Sequence, residues 1–113
     1  MHEVGIAESV IDIVERTARE HGLAAVCRVV LEIGGLSGVD AQSLEFALSV
    51  LTPGTLLDGA EIELLEPANL LRCRLCGSDY EARAEQTDCP GCGAADFEVI
   101  RGREMLVMSV AGE

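Results

Sequence analysis

The chain has 113 residues, enough for one compact domain, or for one small domain with a still smaller metal-held insert. Eight basic residues stand against twenty acidic ones, for a formal net charge of -12. That balance excludes the clustered Lys and Arg that nucleic acid or an anionic membrane requires, and leaves divalent cations and basic proteins as partners.

Charged residues run through positions 2–20 and no stretch of about 18 apolar residues exists, so neither a signal peptide nor a membrane span is expected. The expected compartment is the cytoplasm, where paired Cys-x-x-Cys units read as metal ligands before they read as disulfides. Aromatics are scarce, so the core should be aliphatic.

Met1-His2-Glu3 opens the chain. An imidazole at position 2 lets the terminal amine, the His2 amide nitrogen and the His2 ring nitrogen chelate one ion through adjacent rings. Such nitrogen-rich coordination favours nickel(II) or copper(II). A solvated, frayed His2 fits the same residues. Residues 4–21 then carry helical spacing, with Ile6, Val10, Ile13, Val14 and Ala18 on one stripe and Gly22 as a stop. Residues 26–33 (VCRVVLEI) predict a strand with Cys27, Val29, Leu31 and Ile33 on its apolar face, which makes Cys27 a core thiol.

Gly34, Gly35 and Gly38 loosen the chain into a loop. Asp40 suits the N-cap of a second helix carrying Leu44, Ala47, Leu48 and Leu51 on one side, ended by Thr52-Pro53-Gly54. As a carboxylate in a Gly-rich loop, Asp40 is also a candidate neighbour for a metal held by the N-terminus. Residues 60–66 alternate as a second strand, and residues 103–110 (REMLVMSV) predict a third. A lone C-terminal strand needs a sheet to join. The expected fold is therefore α+β, with two helices on a three-stranded sheet and a zinc-ribbon-like four-cysteine module inserted before the last strand. The boundaries expected are 1–68 plus 101–113 for the α/β domain and 69–100 for the module, with 66–72 and 99–103 as candidate hinges.

Cys73-Arg-Leu-Cys76-Gly and Cys89-Pro-Gly-Cys92-Gly are separated by twelve residues. Each pair makes a tight turn aiming two sulfurs at one point, and the following glycine lets backbone amides close on them. Four thiolates suit tetrahedral zinc or iron, and closed sites of this kind are generally structural. A structural zinc, a rubredoxin-like iron centre for electron transfer and a zinc-stapled adaptor all remain open on these residues. Nucleic-acid binding is disfavoured, because segment 70–98 sets Arg72, Arg74 and Arg83 against six acidic residues. No Gly-rich phosphate loop, Ser-His-Asp set or open three-ligand zinc site marks an enzyme.

Taken together, the MHE start, LEIGGLSGVD, ALSVLTPGT, the paired CxxC units and the closing GREM resemble the HypA/HybF nickel metallochaperones. These assist maturation of nickel–iron hydrogenase. The resemblance implies a nickel carrier, not an enzyme, working with a HypB-type GTPase and the hydrogenase large subunit, and in some organisms with urease maturation proteins. It implies Ni2+ as cargo bound at the N-terminus through His2, with Met1, Glu3 and Asp40 as supports. It also implies structural Zn2+ on Cys73, Cys76, Cys89 and Cys92. One departure is the lack of any histidine in residues 69–102. A fourth nickel ligand is then expected from a backbone nitrogen or the Asp40 region.

Overall fold

The computed structural model describes every residue except Met1, Ala84 and Glu85. Two helices and six strands follow one another as α1 (His2–Glu20), β1 (Val26–Ile33), α2 (Ala41–Leu51), β2 (Glu61–Leu65), β3 (Asn69–Cys73), β4 (Asp79–Ala82), β5 (Phe97–Arg101) and β6 (Met105–Gly112). The chain divides into two compact units: Met1–Glu32 with Asp40–Leu65 and Leu106–Glu113, and Ile33–Val39 with Glu66–Met105.

The first unit holds both helices and a sheet of order β2-β1-β6. β1 and β2 pair in parallel, Val29 opposite Ile62 and Leu31 opposite Leu64, with α2 in the crossover that a parallel pair requires. α1 begins at His2, two residues earlier than its apolar period indicates. Glu3 in the first turn explains the extension, since a carboxylate is favourable at the positive end of the helix dipole. Its buried stripe is Ala7, Val10, Ile11, Val14 and Ala18. Ile13, expected in that stripe, is 43% exposed; the small Ala7 and Ile11 rotate the inward face away from it.

The C-terminus of α1 closes as a Schellman motif around Gly22, whose φ is +72°. Leu23 N–H donates to Ala18 O at 2.8 Å and Gly22 N–H to Arg19 O at 3.1 Å, satisfying carbonyls the helix would otherwise leave open.

β1 corrects a second expectation. Val26, Val29, Leu31 and Ile33 are buried, while Cys27 and Arg28 are both exposed. Burial on the Val29, Leu31 and Ile33 face stops short of Cys27 near the start of the strand, so it is exposed and not a core thiol. At α2, Asp40 is the N-cap, with an extended backbone and Oδ1 accepting from Ser43 N–H at 3.1 Å. Leu44, Ala47 and Leu48 are the helix's buried residues.

The second unit is built on a separate antiparallel sheet of order β4-β3-β5. Stretches 66–72 and 99–103, expected as hinges, therefore contain most of two paired strands. Leu71 and Cys73 alternate inward along β3 and meet Tyr80, Ala82 and Cys89 in a small core, with Leu36, Ala94, Phe97 and Val99 packed against it. Leu36 arrives from the loop after β1, whose Gly34 and Leu36 N–H groups donate to Glu104 O and Gly102 O. Gly34 needs its missing side chain there: a Cβ would lie 2.1 Å from Gly102 O.

Candidate metal centre

β3 ends at Cys73, the first ligand of the cluster, so sheet pairing itself aims that sulfur inward. The two Cys-x-x-Cys turns share one hydrogen-bond pattern. Cys73 N–H donates to Ser78 O and Gly77 N–H to Cys73 O, at 2.8 and 3.0 Å; Cys89 N–H donates to Ala94 O and Gly93 N–H to Cys89 O, at 2.8 and 2.7 Å. Gly77 and Gly93 adopt φ of +77° and +75°, the left-handed conformation that a side chain would resist. The glycine after each pair is thus what closes the turn. Cys76 N–H also donates to Cys73 Sγ at 3.4 Å.

All four ligand sulfurs lie within 4.8 Å of one another. Cys73 to Cys92 and Cys76 to Cys89 are each 3.6 Å. A tetrahedral ion with metal–sulfur bonds of about 2.3 Å sets its sulfurs about 3.8 Å apart, so the cage has the size such an ion demands. Cys73 and Cys89 are buried in the module core, while Cys76 and Cys92 face outward.

Thiols this close cannot all ionise without a cation among them. Hydrogen bonding with the Ser78 hydroxyl, then with its backbone, lowers Cys76 to about 6. The Ala94 backbone pulls Cys92 down, but hydrogen bonding with Cys73, burial, and hydrogen bonding with Cys89 and Cys76 together outweigh it and push Cys92 up to about 12. The pair pattern pointed to the four sulfurs; it did not point to Ser78, whose role depends on the turn's geometry.

The residues expected around the N-terminus are partly assembled. Met1 lies outside the described residues. His2 is exposed as the first residue of α1. Its amide belongs to the first turn, where N–H groups have no partner within the helix. Glu3 Oε2 accepts the Asp40 N–H at 3.2 Å across a separation of 37 residues, joining the starts of α1 and α2. Asp40 meanwhile uses Oδ1 to cap α2. Among the described residues, the four cysteines are the one group of three or more His, Cys, Asp or Glu side chains already placed to hold an ion.

This fold and this site define a small α/β protein with a four-thiolate metal module. A family model described as hydrogenase/urease nickel incorporation, metallochaperone, hypA matches residues 1–112. The hydrogenase maturation factor HypA of Geotalea daltonii is 40% identical over 107 residues, covering 95% of this chain and 94% of that one. That of Polaromonas naphthalenivorans is 37% identical over 110 residues, covering 97% and 96%. In fold, the chain is similar to the solution structure of the nickel metallochaperone HypA from Helicobacter pylori, with a TM-score of 0.67, 23% identity and coverage of 96% and 94%. A second HypA solution structure gives 0.72 and 23%, covering 100% and 97%. The chain belongs to the HypA family of hydrogenase/urease nickel-incorporation metallochaperones.

Proposed function

We propose that this protein carries Ni(II) at its N-terminus and delivers it to the large subunit of nickel–iron hydrogenase, without catalysing a reaction of its own. The observation that supports the site assignment is the Glu3–Asp40 contact, in which Glu3, the residue after His2, accepts the Asp40 N–H and ties the start of α2 to the N-terminus. The His2 ring and amide nitrogens and the Met1 amine supply the nitrogen ligands in this reading, with Glu3 and the Asp40 region as supports. His2 is exposed, as a cargo site must be if a client is to take the ion. Copper(II) outranks nickel in any such nitrogen site, so selectivity rests on the partner and on copper scarcity as well as on the ligands.

Zn2+ is the resident ion of this proposal, held by Cys73, Cys76, Cys89 and Cys92, where it closes a core too small to fold on apolar burial alone. A HypB-type GTPase is the proposed partner in delivery and the cytoplasm the proposed compartment. No helix of the described residues is long and apolar enough to cross a membrane. The family description spans hydrogenase and urease, and urease maturation proteins are the second client class this chemistry would serve.

Calorimetric titration of nickel into tag-free protein tests the reading, run beside His2→Ala with metal content quantified in both. One nickel per chain, weakened at least about tenfold in the variant while zinc stays near one, is expected; tenfold corresponds to about 1.4 kcal/mol. Because amide and imidazole ligands must lose protons to bind, affinity should also fall as pH drops. Nickel binding untouched by the substitution would remove His2 from the site. Iron in place of zinc would favour a redox module.

A further inference from the structure

The two helices of the first unit leave an apolar groove open to solvent. It encloses about 430 Å³ and is lined by Glu3 and Val4 of α1 and by Gln42, Ser43, Phe46, Ala47, Val50 and Leu51 of α2. Phe46 is 71% exposed and Val50 58%, although each is large and apolar. Along α2 the lining residues recur at helical spacing. Phe46 and Val50 form one ridge, four residues apart, and the small Ser43 and Ala47 lie between that ridge and the opposite wall. Ridges four residues apart above a small-residue floor are the surface into which another helix packs.

The rim of this groove is acidic. Glu3 lines it. An adjoining depression shares Leu51 and brings Glu8 and Asp12 from α1. Like charges four apart on one helix, such as Glu8 and Asp12, destabilise it, and none of these three carboxylates enters an ion pair among the described residues. The chain has no lysine, and none of its eight arginines lines either depression.

We propose that this groove docks a basic amphipathic helix of a partner protein, with bulky apolar residues seated against Phe46 and Val50 and flanking Lys or Arg meeting Glu3, Glu8 and Asp12 along α1. From Gln42 to Leu51 the groove runs about 14 Å, which fits between two and three turns of helix. An extended segment is a poorer occupant. Both walls are helices whose backbone groups are bonded internally, so no strand edge is offered to pair with it. A second copy of this chain is poorer still, because it would set one acidic rim against another at a net charge of -12 per chain.

The test uses zinc-loaded, nickel-free protein, so its outcome is independent of the nickel site. The probe is a synthetic Leu/Lys peptide of about 14 residues with helical spacing; the control has the same composition in strict alternation. Binding is followed by amide chemical shifts. Shifts centred on Val4, Ser43, Ala47 and Val50, with binding at least about tenfold weaker in Phe46→Ala and Val50→Ala, are expected. Both side chains are exposed, so neither truncation should disturb the fold; thermal unfolding of each variant checks this. Equal binding of the alternating peptide, shifts spread over the acidic surface, or unchanged affinity in both variants would overturn the proposal. A wild-type dimer in sedimentation that Phe46→Ala dissociates would overturn it too, by assigning the groove to a second copy.

Discussion

Asp40 does two things that separate substitutions can tell apart. Its Oδ1 caps α2 through Ser43 N–H, and its own N–H is held by Glu3. Asparagine keeps a side-chain acceptor and caps about as well as aspartate, whereas alanine loses the cap at a cost of about 1 kcal/mol. Asp40→Asn should therefore leave the urea midpoint nearly unchanged and Asp40→Ala should lower it. If the carboxylate supports nickel as proposed, both variants should weaken nickel in calorimetry. Preserved nickel affinity in Asp40→Asn would confine this residue to capping. The cap was legible in the chain because it needs only the next three residues. The contact with Glu3 was not, because nothing local to position 3 announces a partner at position 40.

Cys27 shows the opposite failure. Strict alternation over residues 26–33 puts it in the core, yet Cys27 and Arg28 near the start of β1 are both uncovered and the thiol is exposed. Whether the first residues of a strand are covered is decided by what packs over them, so period alone cannot find it.

Helix ends and strand pairs behave differently as elements. α1 stops where Gly22 follows its last turn, and the stop is a backbone matter: a Cβ at Gly22 would meet nothing within 4 Å, but its φ of +72° disfavours any side chain. Gly22→Ala should thus cost about 1–2 kcal/mol through conformation alone, read as a lower urea midpoint with helical circular dichroism retained. Such signals lie within a few residues and survive reading from the chain. The β4-β3-β5 sheet was harder, because its strands are four or five residues long and interrupted by the metal-binding turns. Leu70-Leu71-Arg72-Cys73 carries too little alternation to announce a strand. It becomes one by pairing with Tyr80 on one side and with Val99 and Phe97 on the other.

The whole molecule combines two units with different sources of stability. The first buries aliphatic residues from two helices and β1, among them Val14, Val29, Leu31, Leu44 and Leu48. The second has five buried core residues, two of them cysteines of the four-sulfur cluster. Structural zinc in small modules contributes about 10–16 kcal/mol of apparent binding free energy, which is folding free energy when the site does not exist unfolded. Chelation should therefore abolish amide-exchange protection in β3, β4 and β5 while α1 and α2 stay protected. Simultaneous loss in all elements would show that the units do not fold separately.

Covalent spacing and local period were enough to pick out the four clustered cysteines, both helices, the α2 cap and the three strands of the first sheet. Those features arise from residues near one another in the chain: two-residue gaps that converge sulfurs, and periods that sort apolar from polar faces. Only the tertiary structure decided that Glu3 meets Asp40, that Leu36 joins the module core, that Cys27 faces out, and that Phe46 and Val50 border an open groove. Each of those depends on where distant segments pack, and packing is a property of the assembled fold that no local pattern encodes.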